Sequence, residues 1–231
     1  MISRPKLIET WSKKYSDICV IKNIKSGKEA DCFLVQIREK LYCLKSYNDR
    51  SLSTTAGNNI YLAGKWFRNP SQKKSVDKGN KYGKDLIRKL WTKREYYMLK
   101  KFHGLGANVP EVFDFNNNSI LMEYLGDASL PAPLIKDANF NEKQSNEVFI
   151  QIINSIETFY KCGIVHGDLS EFNVLWWQDK PYIIDFPQAV DIRNNPNTNE
   201  LLLRDITNIC KFFNKNNENE IFANIVANEM I

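Results

Sequence analysis

The sequence runs to 231 residues, enough for one large domain or a small two-lobed one with a sizeable core. Hydrophobic residues make up 43% and charged residues 26%, which is ordinary globular usage, and no run approaches the roughly 18 apolar residues of a membrane helix. Five scattered cysteines without a C-x-x-C, and only two histidines (His103 and His166), argue against a disulfide framework, a zinc site and a multi-His metal site. Together with a start that lacks an apolar signal core, they point to a reducing, cytoplasmic setting. The net charge of +5 conceals an asymmetry: residues 61–101 hold 13 Lys/Arg against 3 Asp/Glu, a local +10, and the remainder is −5. Such a segment attracts phosphate, in nucleic acid or nucleotide, or is simply a solvated loop and helix face.

Three runs near the start read as strands: residues 19–24, 30–37 and 41–47, joined by the turns Ser26-Gly27-Lys28 and Glu39-Lys40. Alternation in the third puts Leu41, Cys43, Lys45 and Tyr47 on one face, an unusual place for a lysine. Residues 48–84 are rich in Ser, Asn, Gly and Lys with few periodic apolar positions, so a flexible basic loop is expected there. Helical spacing takes over at 86–102 and stops at Gly104 and Gly106. Residues 119–124 form a further strand candidate. The strongest helix is 142–162, whose apolar stripe includes Val148, Phe149, Ile152, Ile156 and Phe159, with Asn141 to cap its start and Gly163 at its end. Short strands follow at 174–177 and 182–184, then an Asn-rich, mobile-looking patch at 193–199 and a last helix at 200–213. Strands first and helices later predict an α+β chain in two lobes. The expected division is one domain over 1–231, with an N-lobe at about 15–122, a hinge at 123–126 and a C-lobe at 127–231.

The chemistry concentrates in His166-Gly167-Asp168-Leu169-Ser170-Glu171-Phe172-Asn173 and in Ile184-Asp185-Phe186. Phosphoryl transfer needs such a set: one carboxylate to receive or orient the acceptor's proton, and a carboxylate and an amide to hold Mg²⁺ against phosphate charge. The H-x-D-x-x-x-x-N spacing followed by D-F is the protein-kinase catalytic-loop and metal-loop signature. The plain alternative is an Asp that caps a turn and another that ends a strand. Lys45 reads as the strand lysine that pairs with nucleotide phosphates, against an edge lysine facing water. Glu95 is the only acid between Asp85 and Glu111, hence the only candidate of its helix to hold Lys45; the bland alternative is a surface glutamate. The turn at Ser26, Gly27, Lys28 and Glu29 carries one glycine, so it is neither a G-x-G-x-x-G nor a Walker A loop.

Taken together, these motifs resemble the RIO family of atypical serine/threonine protein kinases. Ser26-Gly27-Lys28-Glu29-Ala30-Asp31 is similar to that family's phosphate loop without its Thr. Leu44-Lys45-Ser46-Tyr47 resembles the lysine strand, and Trp91-x-x-Arg94-Glu95-Tyr96 the helix of the partner glutamate. Leu121-Met122-Glu123-Tyr124-Leu125-Gly126 resembles the gatekeeper and hinge, and Pro131-Ala132-Pro133-Leu134 the segment after it. The catalytic loop and Ile184-Asp185-Phe186-Pro187-Gln188-Ala189-Val190 complete the set. The short stretches before Ser26 and after Phe213 lead us to expect the compact form, without a winged-helix domain or long tail. As in that family, no A-P-E follows Asp185.

The resemblance implies a two-lobed kinase-like fold, ATP and Mg²⁺ as cofactors, and serine autophosphorylation within the basic segment 48–84, where Ser51, Ser53, Ser71 and Ser75 are available. It also implies, in some members, an aspartyl-phosphate on the metal-loop aspartate. The implied site has Lys45, Glu95, Asp168 and Asp185 as catalytic residues and Asn173 with Asp185 as metal ligands. ATP is expected between the lobes, with Cys32 and Cys43 as the roof of the adenine pocket, Met122 at its inner end, and the Glu123 carbonyl and Leu125 N–H at the hinge. Two other readings stay open: an ATPase switch or assembly factor on a ribosomal particle, and a small-molecule phosphotransferase of the kinase-like superfamily. RNA or a ribosomal particle is the partner expected for the basic segment, through Lys65, Arg68, Lys73, Lys74, Lys78, Lys81 and Lys84. The sequence does not name a protein substrate.

Overall fold

The computed structural model describes residues 6–27, 30–48 and 70–227. The chain divides into two compact units: residues 1–98 with 111–131, and residues 99–110 with 132–231.

The first unit is built on a five-stranded antiparallel sheet: β1 (Cys19–Ser26), β2 (Ala30–Ile37), β3 (Lys40–Tyr47), β4 (Val112–Asn116) and β5 (Ser119–Glu123), in spatial order β1-β2-β3-β5-β4. The edge strand β1 alternates in burial, whereas β3 from Leu44 to Tyr47 and β5 from Ser119 to Met122 are buried without a break, so both faces of the sheet are covered there. One face packs under α1 (Lys6–Ser12): Ile8, Trp11 and Ile18 pack with Val35, Ile37, Leu44 and Leu121. Trp11 is nearly fully buried, and its indole N–H donates to Ser119 Oγ at 2.9 Å, so the one polar atom of a large apolar ring is satisfied. Lys45 neighbours Leu44 on β3 and therefore projects from the other face, where Glu95 meets it.

Two further helices follow, α2 (Pro70–Asp77) and α3 (Lys81–Gly104). Part of the expected loop is thus helical rather than irregular. Pro70 suits a first helical position, and among the described side chains of α2 only Val76 is apolar and buried, which leaves no periodic stripe to read in the sequence. Gly83 permits a close approach of the two helices: a Cβ there would lie 2.3 Å from the Ser75 carbonyl oxygen. Residues 49–69, with Ser51, Ser53, Lys65 and Arg68, lie outside the described residues.

The second unit holds α4 (Glu142–Lys161), β6 (Ile164–Val165), β7 (Val174–Trp177), β8 (Lys180–Ile183), β9 (Val190–Asp191), α5 (Thr198–Phe212) and α6 (Glu218–Ala227). Asn141 caps α4 in a reciprocal box with Gln144. The apolar stripe of α4 is buried together with Leu202, Ile206 and Ile209 of α5. Phe102, Phe159 and Phe186 pack ring to ring beneath the catalytic-loop sequence, at centroid distances of 4.4, 5.3 and 5.6 Å. Among the described residues no helix is long and apolar enough to cross a membrane.

Candidate active site

In the first unit the sheet sets up a buried ion pair. Lys45 lies opposite Cys32 on β2 and Ile120 on β5, and its Nζ meets Glu95 Oε1 of α3 at 2.8 Å. Lys45 is 7% exposed and Glu95 2%. The second oxygen of Glu95 accepts the hydroxyl of Tyr47. Cys43 shares the Lys45 face and lies opposite Met122 of β5. A hydrogen bond to Cys32, then burial, push the Cys43 thiol well above its ordinary range, so Cys43 stays a thiol rather than a thiolate. Ser26 ends β1, and Gly27 N–H closes a tight turn on the Ala30 carbonyl at 3.0 Å; Lys28 and Glu29 lie outside the described residues. Met122 and Leu125 are buried. Glu123 is tied to Glu111 through its own N–H at 2.7 Å and its carboxylate at 3.1 Å, which fixes the segment where β5 ends.

The second unit gathers the acids. Asp168 stands in a loop that α5 grips from below by four hydrogen bonds. Asp205 accepts from Gly167 N–H at 2.7 Å and Leu169 N–H at 3.0 Å; Arg204 donates to the Gly167 carbonyl; Asn208 donates to the Leu169 carbonyl at 3.0 Å. The peptide groups on both sides of Asp168 are thereby fixed and its side chain is left to project. Gly167 sits at φ +79°, and a Cβ there would lie 2.8 Å from the Gln188 carbonyl, so no other residue fits. Asn173 Nδ2 donates to the Asp168 carbonyl at 2.8 Å, which turns its amide oxygen outward. The Ile184 N–H donates to the Asn173 carbonyl at 3.0 Å and binds the next residue, Asp185, to the same cluster. Asp185 holds a left-handed φ of 71°, a strained backbone typical of functional positions. His166 Nε2 lies 3.1 Å from the Ile184 carbonyl and its ring packs on Phe186 at 4.6 Å, so this histidine braces the two loops.

Burial raises the Asp168 carboxyl above its ordinary value; Arg204 opposes the shift and Asp185 adds to it. Burial also pushes Asp205 up to about 6, against its two backbone N–H bonds and Arg204. An Asn amide oxygen and a carboxylate joined by backbone hydrogen bonds form a hard-oxygen donor set that suits Mg²⁺. Arg204, Asp205 and Asn208 were not singled out in the sequence, although a signal exists: Asp205 stands on the apolar stripe of α5 between Leu202, Ile206 and Ile209. A carboxylate on a buried helix face needs a partner.

Residues 61–225 match the family model described as the RIO domain. The chain belongs to the RIO family. Its RIO relatives include the serine/threonine-protein kinase RIO1 of Caenorhabditis elegans, 30% identical over 195 residues, which cover 82% of this chain and 36% of that protein. The RIO-type serine/threonine-protein kinase Rio1 of Thermoplasma acidophilum is 37% identical over 126 residues, 54% of this chain and 64% of that one. Human serine/threonine-protein kinase RIO3 is 30% identical over 148 residues, 64% of this chain and 28% of that one. The chain thus spans about a third of the animal RIO relatives and less than two thirds of the archaeal one. The α+β architecture, an antiparallel sheet before mostly helical structure, is the kinase-like fold of the RIO domain.

Proposed function

We propose that the chain transfers the γ-phosphoryl group of ATP, with Mg²⁺, to serine hydroxyls, its own included. The observation that carries this reading is the buried Lys45–Glu95 pair. A buried ion pair seldom repays its desolvation in stability, so its presence on a β-strand argues for work on an anion. Lys45 orients the α- and β-phosphates and Glu95 holds Lys45. The backbone of the Ser26–Gly27 turn, with Lys28 and Glu29, cradles the remaining phosphate oxygens. Cys32, Cys43 and Met122 wall the adenine, while the Glu123 carbonyl and the Leu125 N–H bond its edge. Asn173 and Asp185 hold Mg²⁺, which when bound neutralises phosphate charge as ATP supplies the transferred group. Asp168 orients the acceptor hydroxyl and takes its proton as the serine O–P bond forms and the bond to the ADP oxygen breaks; a raised carboxyl pKa favours that uptake.

Transfer to Asp185 itself, followed by hydrolysis, is the alternative course and would make the chain an ATPase switch. The test is chemical: incubate the full chain with γ-labelled ATP and Mg²⁺ and examine the bound label. Acid-stable phosphoserine that grows over many turnovers is expected. Label released by hydroxylamine, with one turnover and free phosphate, would favour the switch. No ATP consumption at all would sink both.

A second reading concerns the partner. On α3, Tyr82, Lys89, Lys93 and Tyr97 are exposed and fall within one narrow sector of the helix, and Lys93 Nζ lies 6.0 Å from the centre of the Tyr97 ring. Lysines interleaved with exposed aromatic rings suit RNA, with phosphates on the lysines and bases on the tyrosines. We assign RNA, alone or in a ribosomal particle, to this face.

A further inference from the structure

Glu95 spends both carboxylate oxygens inside the fold, and Oε1 meets Lys45 Nζ. The other accepts from Tyr47, two residues after Lys45 on the same face of β3. Tyr47 is 2% exposed, its ring centre lies 5.3 Å from Lys45 Nζ, and its ring packs at 65° to that of Trp91, one turn before Glu95 on α3, with centroids 6.4 Å apart. Its backbone is fixed on two sides, paired with Ala30 on β2 and donating to the Asn118 carbonyl at 2.8 Å. One side chain therefore touches the lysine by its ring, the glutamate by its hydroxyl, and the helix that carries the glutamate.

We propose that Tyr47 is the positioning residue of the Lys45–Glu95 pair, a latch that keeps Glu95 and α3 in place while Lys45 engages the nucleotide. The inference rests on the ATP reading above. When the Lys45 hydrogens turn to phosphate, a buried Glu95 without a second donor would carry a large desolvation penalty and would follow the lysine or leave the site. A neutral donor on Oε2 gives the carboxylate a charge-assisted hydrogen bond that the nucleotide does not compete for. The pair is then assembled before ATP arrives.

The experiment compares Tyr47→Phe, which keeps the ring under Lys45, with Tyr47→Gln, which restores a donor, in the full chain. In the nucleotide-free state, acylation of Lys45 followed by mass spectrometry and hydrogen exchange of residues 91–95 should both rise about tenfold in Tyr47→Phe, the scale of one hydrogen bond to a charge. In turnover, kcat should fall about tenfold with KM for ATP changed less than threefold, and Tyr47→Gln should recover part of the loss. Added to Glu95→Ala, Tyr47→Phe should cost nothing further. Unchanged Lys45 acylation and unchanged kcat in Tyr47→Phe would overturn the proposal, as would full additivity with Glu95→Ala. A Tyr47→Phe chain that no longer folds would make the hydroxyl structural and overturn it equally. Raised acylation in a chain whose parent turns over no ATP would leave the latch standing and remove the ATP reading instead.

Discussion

Asp185 adds to the upward shift of the Asp168 carboxyl, and the surroundings of the two acids differ. Asp168 is held by its flanking peptides and pushed toward the protonated form by burial, which suits a proton acceptor. Asp185 follows a peptide bonded to Asn173 and stands on a strained backbone, which suits a ligand that must not move. The expected split is clear in kinetics. Asp168→Asn should keep nucleotide affinity and lose at least about a hundredfold in kcat, because it removes an interaction made mainly in the transition state. Asp185→Ala should lose the Mg²⁺-dependent part of nucleotide affinity. Titration of ATP with and without Mg²⁺, beside single-turnover rates, checks both. An Asp168→Asn chain with normal turnover would contradict the assignment.

Helix α5 is the element that positions Asp168, and its hold depends on the ionisation of Asp205. A carboxylate accepts two N–H groups; a carboxylic acid turns a donor toward one of them. As pH falls through about 6, Asp205 takes up its proton and the loop should loosen, so kcat should show an acid limb near that value. Stability runs the other way. The folded pKa lies above the unfolded 3.8, so the contribution of this group to stability is fully present below 3.8 and lost as pH rises through about 6. Asp205→Asn should therefore remove the acid limb near 6, lower kcat at neutral pH, and flatten the melting temperature against pH over that window. An unshifted acid limb in Asp205→Asn would assign it to another group. Gly167→Ala tests the same loop without a charge: the left-handed φ and the 2.8 Å approach to Gln188 should cost about 1–3 kcal/mol by thermal melts, and more in turnover than in ATP affinity.

Elements were legible where one period dominated. The alternation of β3 identified the face of Lys45, and elimination along a basic helix left Glu95, whose pairing the structure shows. The capping box of α4 could be anticipated from Asn141. Asp205 was missed because its role lies wholly in backbone groups distant in sequence. β4 escaped notice because Asp114 and Asn116 break up its apolar residues, although it forms a local hairpin with β5. Helices α1 and α6 are short, and α1 owes its place to Ile8 and Trp11 packing on a sheet formed by residues far along the chain. Trp11→Ala should accordingly cost about 3–5 kcal/mol, read as a lower melting temperature.

At the scale of the whole molecule the uneven charge is the dominant feature. Residues 61–101 carry +10 while the rest of the chain carries −5, so any polyanion is drawn to that segment. The exposed Tyr82, Lys89, Lys93 and Tyr97 of α3 let charge and stacking be separated experimentally. Each lysine–phosphate contact on a single strand should contribute about 0.7 to the slope of log affinity against log salt. Reversing Lys78, Lys81, Lys89 and Lys93 to Glu should therefore weaken RNA binding steeply and flatten the slope by about 3. Replacing Tyr82 and Tyr97 with Ala should lower affinity by about 1–3 kcal/mol for each base lost, with the slope unchanged. Filter binding of an unstructured oligonucleotide across a salt series measures both. Since none of these side chains belongs to the Lys45–Glu95 pair or to the acidic loops, ATP turnover should survive every variant. RNA binding by the parent that ignores salt, or lysine reversals that leave the slope intact, would remove RNA as the partner of this face and leave the charge to steer ATP alone.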